Sequence, residues 1–277
     1  MDKQKIVTVC PAGRRRYMEL LTAHLKYQHS LGAIDEHNWW INTENPPDVA
    51  FMKKTAKENP WIKCIEGVKV NGIFSIPYFY PHAADPNTIY IKIDDDIVWM
   101  HPMAITNMIK CRLENPEPLL ICGSVVNSSL CNYQHQQKGC IPKELGELVF
   151  ETGGIDWAWD NGPLAEKIHN CFLEKYDKGE TEDYFFPDTP LDKYQRVSIN
   201  CICWLGSTMK QLLPWPSIVF EGLGDEDWLT MIKSKEIQIP NIMCGSALMS
   251  HFSYFTHRRY LDQCILLTKY YDMIPKT

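Results

Sequence analysis

The chain has 277 residues, 45% of them apolar and 22% charged, with a net charge of −6. These values fit a soluble globular protein with a sizeable core, and they exclude the basic field that holds nucleic acid. No apolar run reaches the roughly 20 residues of a membrane span, and Met1-Asp2-Lys3-Gln4-Lys5 leads into a strand-like run without a secretory h-region, so a soluble, cytoplasmic protein is expected.

In chain order, Ile6–Cys10 reads as a buried first strand, broken by Pro11-Ala12-Gly13. Tyr17, Leu20, Leu21, His24, Leu25 and Gln28 recur at helical spacing, which predicts a helix from Arg14 to about Gly32. Asn38–Asn42 is a second strand. Pro46-Pro47-Asp48 opens a helix to Glu58, with proline at its start. Trp61–Ile65 is a third strand, Phe74–Pro81 a helix or an irregular packed segment, and Tyr90–Ile93 a fourth strand. A helix over 103–114 and a strand over 119–127 complete an alternation of strands and helices, which is the signature of a doubly wound α/β sheet.

That order breaks after Asn127. Residues 128–200 are rich in Gly, Asp, Asn, Tyr and Trp, with one helix around Leu164–Tyr176. We read them as an inserted excursion carrying substrate contacts. Its Trp157 and Trp159 either stack on a sugar face or pack the loop against the core. A strand at Ser198–Leu205, a short helix at Gly206–Leu213, a helix at Trp228–Lys235, one or two strands over 237–248 and a helix over 258–271 follow.

Eleven cysteines are scattered without a CxxC pair, which argues against a zinc knuckle and for reduced thiols, several of them as small buried hydrophobes. Cys131 and Cys140 lie in a polar segment where they could pair.

Four features carry chemistry. Asp94-Asp95-Asp96 ends the run Tyr90–Ile93, and apolar residues resume at Ile97. Adjacent carboxylates repel one another unless something positive lies among them. A hard divalent cation is the usual answer, and an Asp-rich turn is the plain alternative. Strand alternation directs Asp95 away from Asp94 and Asp96. The second feature is Cys10-Pro11-Ala12-Gly13-Arg14, a small-residue turn at the end of strand one, where α/β folds receive nucleotides. It lacks the dinucleotide-binding and P-loop glycine patterns. Arg14, Arg15 and Arg16 either meet a diphosphate or form a solvated basic first turn. Third, Gly222-Leu223-Gly224-Asp225-Glu226-Asp227 opens a helix, and a carboxylate held there can take a proton from an acceptor hydroxyl. Fourth, His251 lies between an apolar strand and an aromatic turn, as a ligand or as a structural hydrogen-bonder.

This ordered set resembles the metal-dependent GT-A glycosyltransferases, over about the whole chain though weakly over 128–200, and is similar to their viral, microbial and fungal members. The acidic triplet stands for the family's Asp-x-Asp motif. Gly222–Gly224 and Asp225–Asp227 stand for its glycine-rich loop and x-Glu-Asp helix start, and His251 for its C-terminal histidine. The resemblance implies a GT-A-like, Rossmann-related, mostly parallel sheet flanked by helices in one domain over 1–277. Residues 1–127 would bind the nucleotide sugar and residues 128–277 the acceptor. It implies Mn²⁺ or Mg²⁺ held by Asp94, Asp96 and His251. A UDP- or GDP-sugar would be contacted by Thr8, Pro11, Ala12, Arg14, Asp94 and Asp95. A glycan or glycoconjugate acceptor would meet Trp157, Trp159 and Gly224. Asp227 would be the general base of an inverting transfer. About 130 residues separate Asp96 from Asp227, a long gap for the family, so Asp225 and Glu226 compete with Asp227. His257 competes with His251. A retaining transferase, a sugar-nucleotide nucleotidyltransferase and a non-catalytic carbohydrate-binding protein are the alternatives. The implied location is cytoplasmic, in the host cytoplasm for a viral protein.

Overall fold

The computed structural model describes residues 4–151 and 157–275. Among the described residues nine strands form one sheet: β1 (Lys5–Ala12), β2 (Glu36–Ile41), β3 (Ile62–Ile65), β4 (Thr88–Ile93), β5 (Ile97–Met100), β6 (Ile121–Val126), β7 (Thr189–Pro190), β8 (Cys201–Leu205) and β9 (Ile242–His251). Their order is β3-β2-β1-β4-β8-β6-β9-β5, with β7 on β9. β3, β2, β1, β4, β6 and β9 run one way, and β5, β7 and β8 run the other. The fold is a single mixed α/β domain with a mostly parallel central sheet between helices.

The central strands are buried on both faces and are therefore almost continuously apolar. β1 continues through Pro11 and Ala12, which the sequence reading had placed in a break. Pairing with β4 stops at Val9–Lys92, while pairing with β2 runs on to Ala12–Ile41. A residue without an N–H is tolerated where one side of the ladder has already ended.

Helices α1 (Arg15–Ser30), α2 (Pro46–Glu58) and α3 (Ala104–Glu114) fall where periodicity placed them. α4 (Ser129–Gln137), inside the excursion, was not anticipated. α5 (Gly162–Asp177) buries Phe172 against Trp99 of β5, with ring centroids 4.9 Å apart. Its His169 holds Phe252 C=O through Nε2 at 2.9 Å and Tyr270 Oη through Nδ1 at 2.7 Å. The excursion thus packs into the end of the sheet. After α6 (Gly206–Leu212), the acidic helix start gives α7 (Gly224–Asp227), a π turn over Trp228–Ile232 and α8 (Lys233–Ile237). The expected last helix is two short ones, α9 (Arg258–Leu261) and α10 (Leu266–Asp272). Gly72–Ala83 is a run of 3₁₀ turns.

All eleven cysteines are free. The Cys131–Cys140 pairing is therefore corrected: Cys131 packs on Met243 Sδ at 3.7 Å, and Cys140 bonds Asp183 C=O at 3.2 Å. Among the described residues, no helix is long and apolar enough to cross a membrane.

β4 and β5 are joined by three residues yet stand four places apart in the sheet. Four spacings in a flat sheet span about 19 Å. The connecting turn instead closes locally, with Ile97 N–H donating to Asp94 C=O at 3.1 Å. The sheet must curl to bring β5 back, and β9 contributes with a register slip against β6 between Gly123 and Ser124.

Candidate metal-diphosphate site

The residues that converge do so because strands end together. β1 and β4 finish at the same sheet edge, and β8 begins there because it runs antiparallel to β4 with Ile93 opposite Cys201. β9 also finishes there, and Ile97 of β5 pairs with His251. A cleft of about 420 Å³ opens at this edge, lined among others by Gly13, Arg14, the three aspartates, Asn200, His251 and Arg258. Gly72, Ile73 and Ile76 of the 3₁₀ segment form one wall.

Asp94, Asp95 and Asp96 lie in a turn, so strand alternation does not govern them. The expectation that Asp95 points away is corrected. Asp95 and Asp96 both take Arg14. Asp95 Oδ1 accepts from Nε at 2.9 Å and from Nη2, and Nη1 lies 2.8 Å from Asp96 Oδ2. Asp95 Oδ2 also accepts from Gly13 N–H at 2.9 Å, and Asp48 accepts from Arg15 N–H at 2.9 Å. Asp48 thereby satisfies one open N–H of the first turn of α1, and Asp95 holds the backbone just ahead of it. Asp94 is held separately, by buried Lys92 and by Asn200 Nδ2 at 3.2 Å. Lys92 donates onward to Ile199 C=O at 2.9 Å. The positive charge demanded by three adjacent carboxylates is thus already present in the protein, as Arg14 and Lys92.

One carboxylate oxygen is left over. Asp96 Oδ1 is buried, finds no hydrogen-bond donor among the described residues, and faces His251 Nε2 at 3.4 Å. Burial works to raise the Asp96 pKa, but Arg14 and His251 outweigh it and hold the group well below the carboxylate range. Burial pushes Asp95 upward, against Arg14. His251 is oriented through Nδ1, 3.4 Å from Asn127 C=O. An orphaned carboxylate oxygen and an oriented imidazole nitrogen facing one another are a donor pair suited to a divalent cation.

The other expected residues are placed as follows. Pro11 and Ala12 line the cleft. Thr8 is fully buried and bonded to His37 Nδ1 at 2.9 Å, away from the cleft lining. His257 is buried with Nε2 on Ala158 C=O at 3.0 Å. Trp159 packs at a tilt against Tyr254, a cleft residue, with ring centroids 4.3 Å apart. Trp157 donates to Glu147 C=O at 2.9 Å, and its ring sits where a Cβ on Gly146 would stand. Arg15 and Arg16 pair with Glu19 and Asp262.

In the acidic helix start, Asp225 is buried and accepts from Tyr80 Oη at 2.9 Å. Glu226 and Asp227 share Arg196, at 2.6 and 2.9 Å. Burial pushes the Glu226 pKa up to about 6, against the pull of Arg196. Glu226 reaches the cleft wall indirectly, accepting from Ile199 N–H at 3.2 Å beside the cleft residue Asn200. Gly222 and Gly224 have φ of 148° and 81°, which explains glycine at both positions.

Sequence reasoning missed Lys92, Asn200 and Arg258. Lys92 gave a signal, as a lone cation in a buried strand two residues before an aspartate. Arg258 lines the cleft close enough for its charge to act on Asp96.

No protein-family model matches the chain, and no curated protein matches it. Solved structures to which it is similar include 4-diphosphocytidyl-2C-methyl-D-erythritol synthase from Anaerococcus prevotii, at 13% identity and a TM-score of 0.34, over 46% of this chain and 57% of that one. A second 4-diphosphocytidyl-2C-methyl-D-erythritol synthase gives 15% and 0.34, over 46% of this chain and 62% of the other. The chain thus spans less than two thirds of either.

Proposed function

We propose that this protein is a metal-dependent glycosyltransferase that moves a sugar from a nucleoside-diphosphate donor, a UDP- or GDP-sugar, to an acceptor hydroxyl on a glycan or glycoconjugate. The observation that carries this reading is the unbonded, buried Asp96 Oδ1 facing His251 Nε2 in a cleft at the sheet's ligand-binding edge. Those two atoms would hold Mn²⁺ or Mg²⁺, whose Lewis acidity neutralises charge on the leaving diphosphate. Arg14 and Arg258 add fixed positive charge along the same cleft, suited to phosphate oxygens. Asp94, held by Lys92 and Asn200, would contact the donor ribose or a bound water. Asp227, 31% exposed at its side chain, takes the proton from the acceptor hydroxyl, which attacks the anomeric carbon from the face opposite the diphosphate and inverts it. Glu226 is the second candidate base, favoured by its pKa near 6. In this reading residues 1–127 supply most donor contacts and residues 128–277 the acceptor side.

Calorimetric titration with UDP, GDP and CMP, with and without Mn²⁺, tests the proposal. Metal-dependent binding of a nucleoside diphosphate is expected, and its absence overturns the reading. The place of Arg14, at the end of β1 against the acidic turn, also suits a sugar-nucleotide nucleotidyltransferase. Pyrophosphate release from a nucleoside triphosphate plus a sugar phosphate would decide for that activity.

A further inference from the structure

A second group of metal-ligand side chains lies away from the acidic cleft. Cys111 on α3, Cys244 on β9 and Asp188 just before β7 bring two thiol sulfurs and a carboxylate oxygen within 4.8 Å of one another. Cys244 stands near the start of β9 and His251 at its end, so the two sites occupy opposite ends of one strand. We propose that Cys111, Asp188 and Cys244 bind a borderline-soft divalent cation of the Zn²⁺ class, and that the ion fastens the excursion to the sheet.

The donor set is suitable. Tetrahedral zinc with two thiolates places the sulfurs about 3.8 Å apart, given Zn–S bonds of about 2.3 Å. A group confined to 4.8 Å needs only a small closure to reach that. Thiolates with a carboxylate favour zinc over the hard cations expected at Asp96.

The three ligands stand on separate segments. Cys111 and Cys244 are 2% and 1% exposed, on a helix and a strand that pack together. Asp188 is exposed, which gives the ion a path from solvent, and its Oδ1 accepts from Gly245 N–H at 3.0 Å. The backbone is tight there, since a Cβ on Gly245 would stand 1.8 Å from Phe186 C=O. β9 leaves its ladder with β6 immediately after Cys244, pairing again only at Leu248. Such a slip re-aims side chains.

Binding releases the two thiol protons to solvent, and water completes the coordination. The three ligands come from segments far apart in sequence, so the ion would tie the 128–200 excursion, α3 and β9 together.

The test uses the full chain, reduced and stripped of metal, titrated with Co²⁺ and followed by absorption. We expect a thiolate-to-cobalt charge-transfer band saturating at one equivalent and bleached by Zn²⁺. C111S and C244S should each abolish that band. D188N, at an exposed position that leaves the core intact, should weaken Zn²⁺ binding by about 10-fold or more in competition with a chromophoric chelator. Zn²⁺ should raise the melting temperature of the wild type by more than that of C244S. No charge-transfer band, a band that survives both serine variants, unchanged Zn²⁺ affinity in D188N, or a Cys111–Cys244 disulfide in the protein as isolated would each overturn the proposal. Cobalt bound at Asp96 and His251 gives no thiolate band, so this outcome is independent of the transferase reading.

Discussion

Asp96 Oδ1 and His251 Nε2 face one another at 3.4 Å because Ile97 pairs with His251 across β5 and β9. Two residues from distant parts of the chain are thereby set by a strand register. Asp96→Ala and His251→Ala should each weaken Mn²⁺-dependent nucleoside-diphosphate binding by about 100-fold or more, beyond the 10–100-fold usual for outer-shell partners. Calorimetry with circular dichroism as a fold control checks this, and retained metal dependence in both variants would remove the site.

Arg14 neutralises Asp95 and Asp96 together. Arg14→Met leaves two buried carboxylates facing one another and should cost about 3–5 kcal/mol of stability, the range for a broken buried ion pair. Mn²⁺ should then raise the melting temperature of the variant more than that of the wild type, since the ion replaces the missing charge. Equal shifts in both would show that no cation enters between these carboxylates.

The Glu226 carboxyl, raised to about 6 by burial, must be ionised to accept a proton. If it were the base, transfer would climb with pH up to about 6 and level off above. With Asp227 as base, Asp227→Asn should lower kcat by about 100-fold or more with donor binding intact. Glu226→Gln should keep measurable transfer and remove any limb near pH 6. The reverse pattern in pH–rate profiles of the two variants assigns the base to Glu226.

Burial lowers the pKa of His24 and His169 to about 4, and of His37 and His135 to about 3. These groups stay neutral in the fold and charge on unfolding, so their contribution is present above the unfolded histidine pKa of about 6.5 and is lost as pH falls. Each removes about 1.4 kcal/mol per pH unit between about 6.5 and 4. Urea midpoints should therefore drop steeply from pH 6.5 to 5, because the four histidines together outweigh the opposing protonation of Glu226 near pH 6. A flat midpoint over that window would contradict the buried neutral state.

The parallel half of the fold was legible because its signals are local. Buried strands read as continuous apolar runs, and α2 was bounded by Pro46 and Glu58 as expected. What escaped depends on pairing between distant segments. α4 has a mostly polar sequence, so periodicity did not reveal it. The aspartate triplet was found, and so was His251, but the direct pairing of the triplet with Arg14 and Lys92 was not, because Arg14 reaches it through β1–β4 pairing and Lys92 from within β4 itself. Composition suggested a demand for positive charge, and only the fold shows how much of it the protein supplies. Cys111, Asp188 and Cys244 have no motif spacing at all; helix α3, strand β9 and the approach to β7 bring them together.

The curl that returns β5 to the end of β4 gives the acidic turn a second duty. Asp94–Asp96 is a clasp, joining a middle strand of the sheet to its far edge through one tight turn. Phe252 N–H donates to Asp96 C=O at 2.8 Å, so the clasp also grips the chain leaving β9. The same three residues line the cleft, so a ligand held there would bear on the piece that latches the sheet shut. Filling the cleft should therefore stabilise the whole sheet, and the melting temperature should rise with its occupancy.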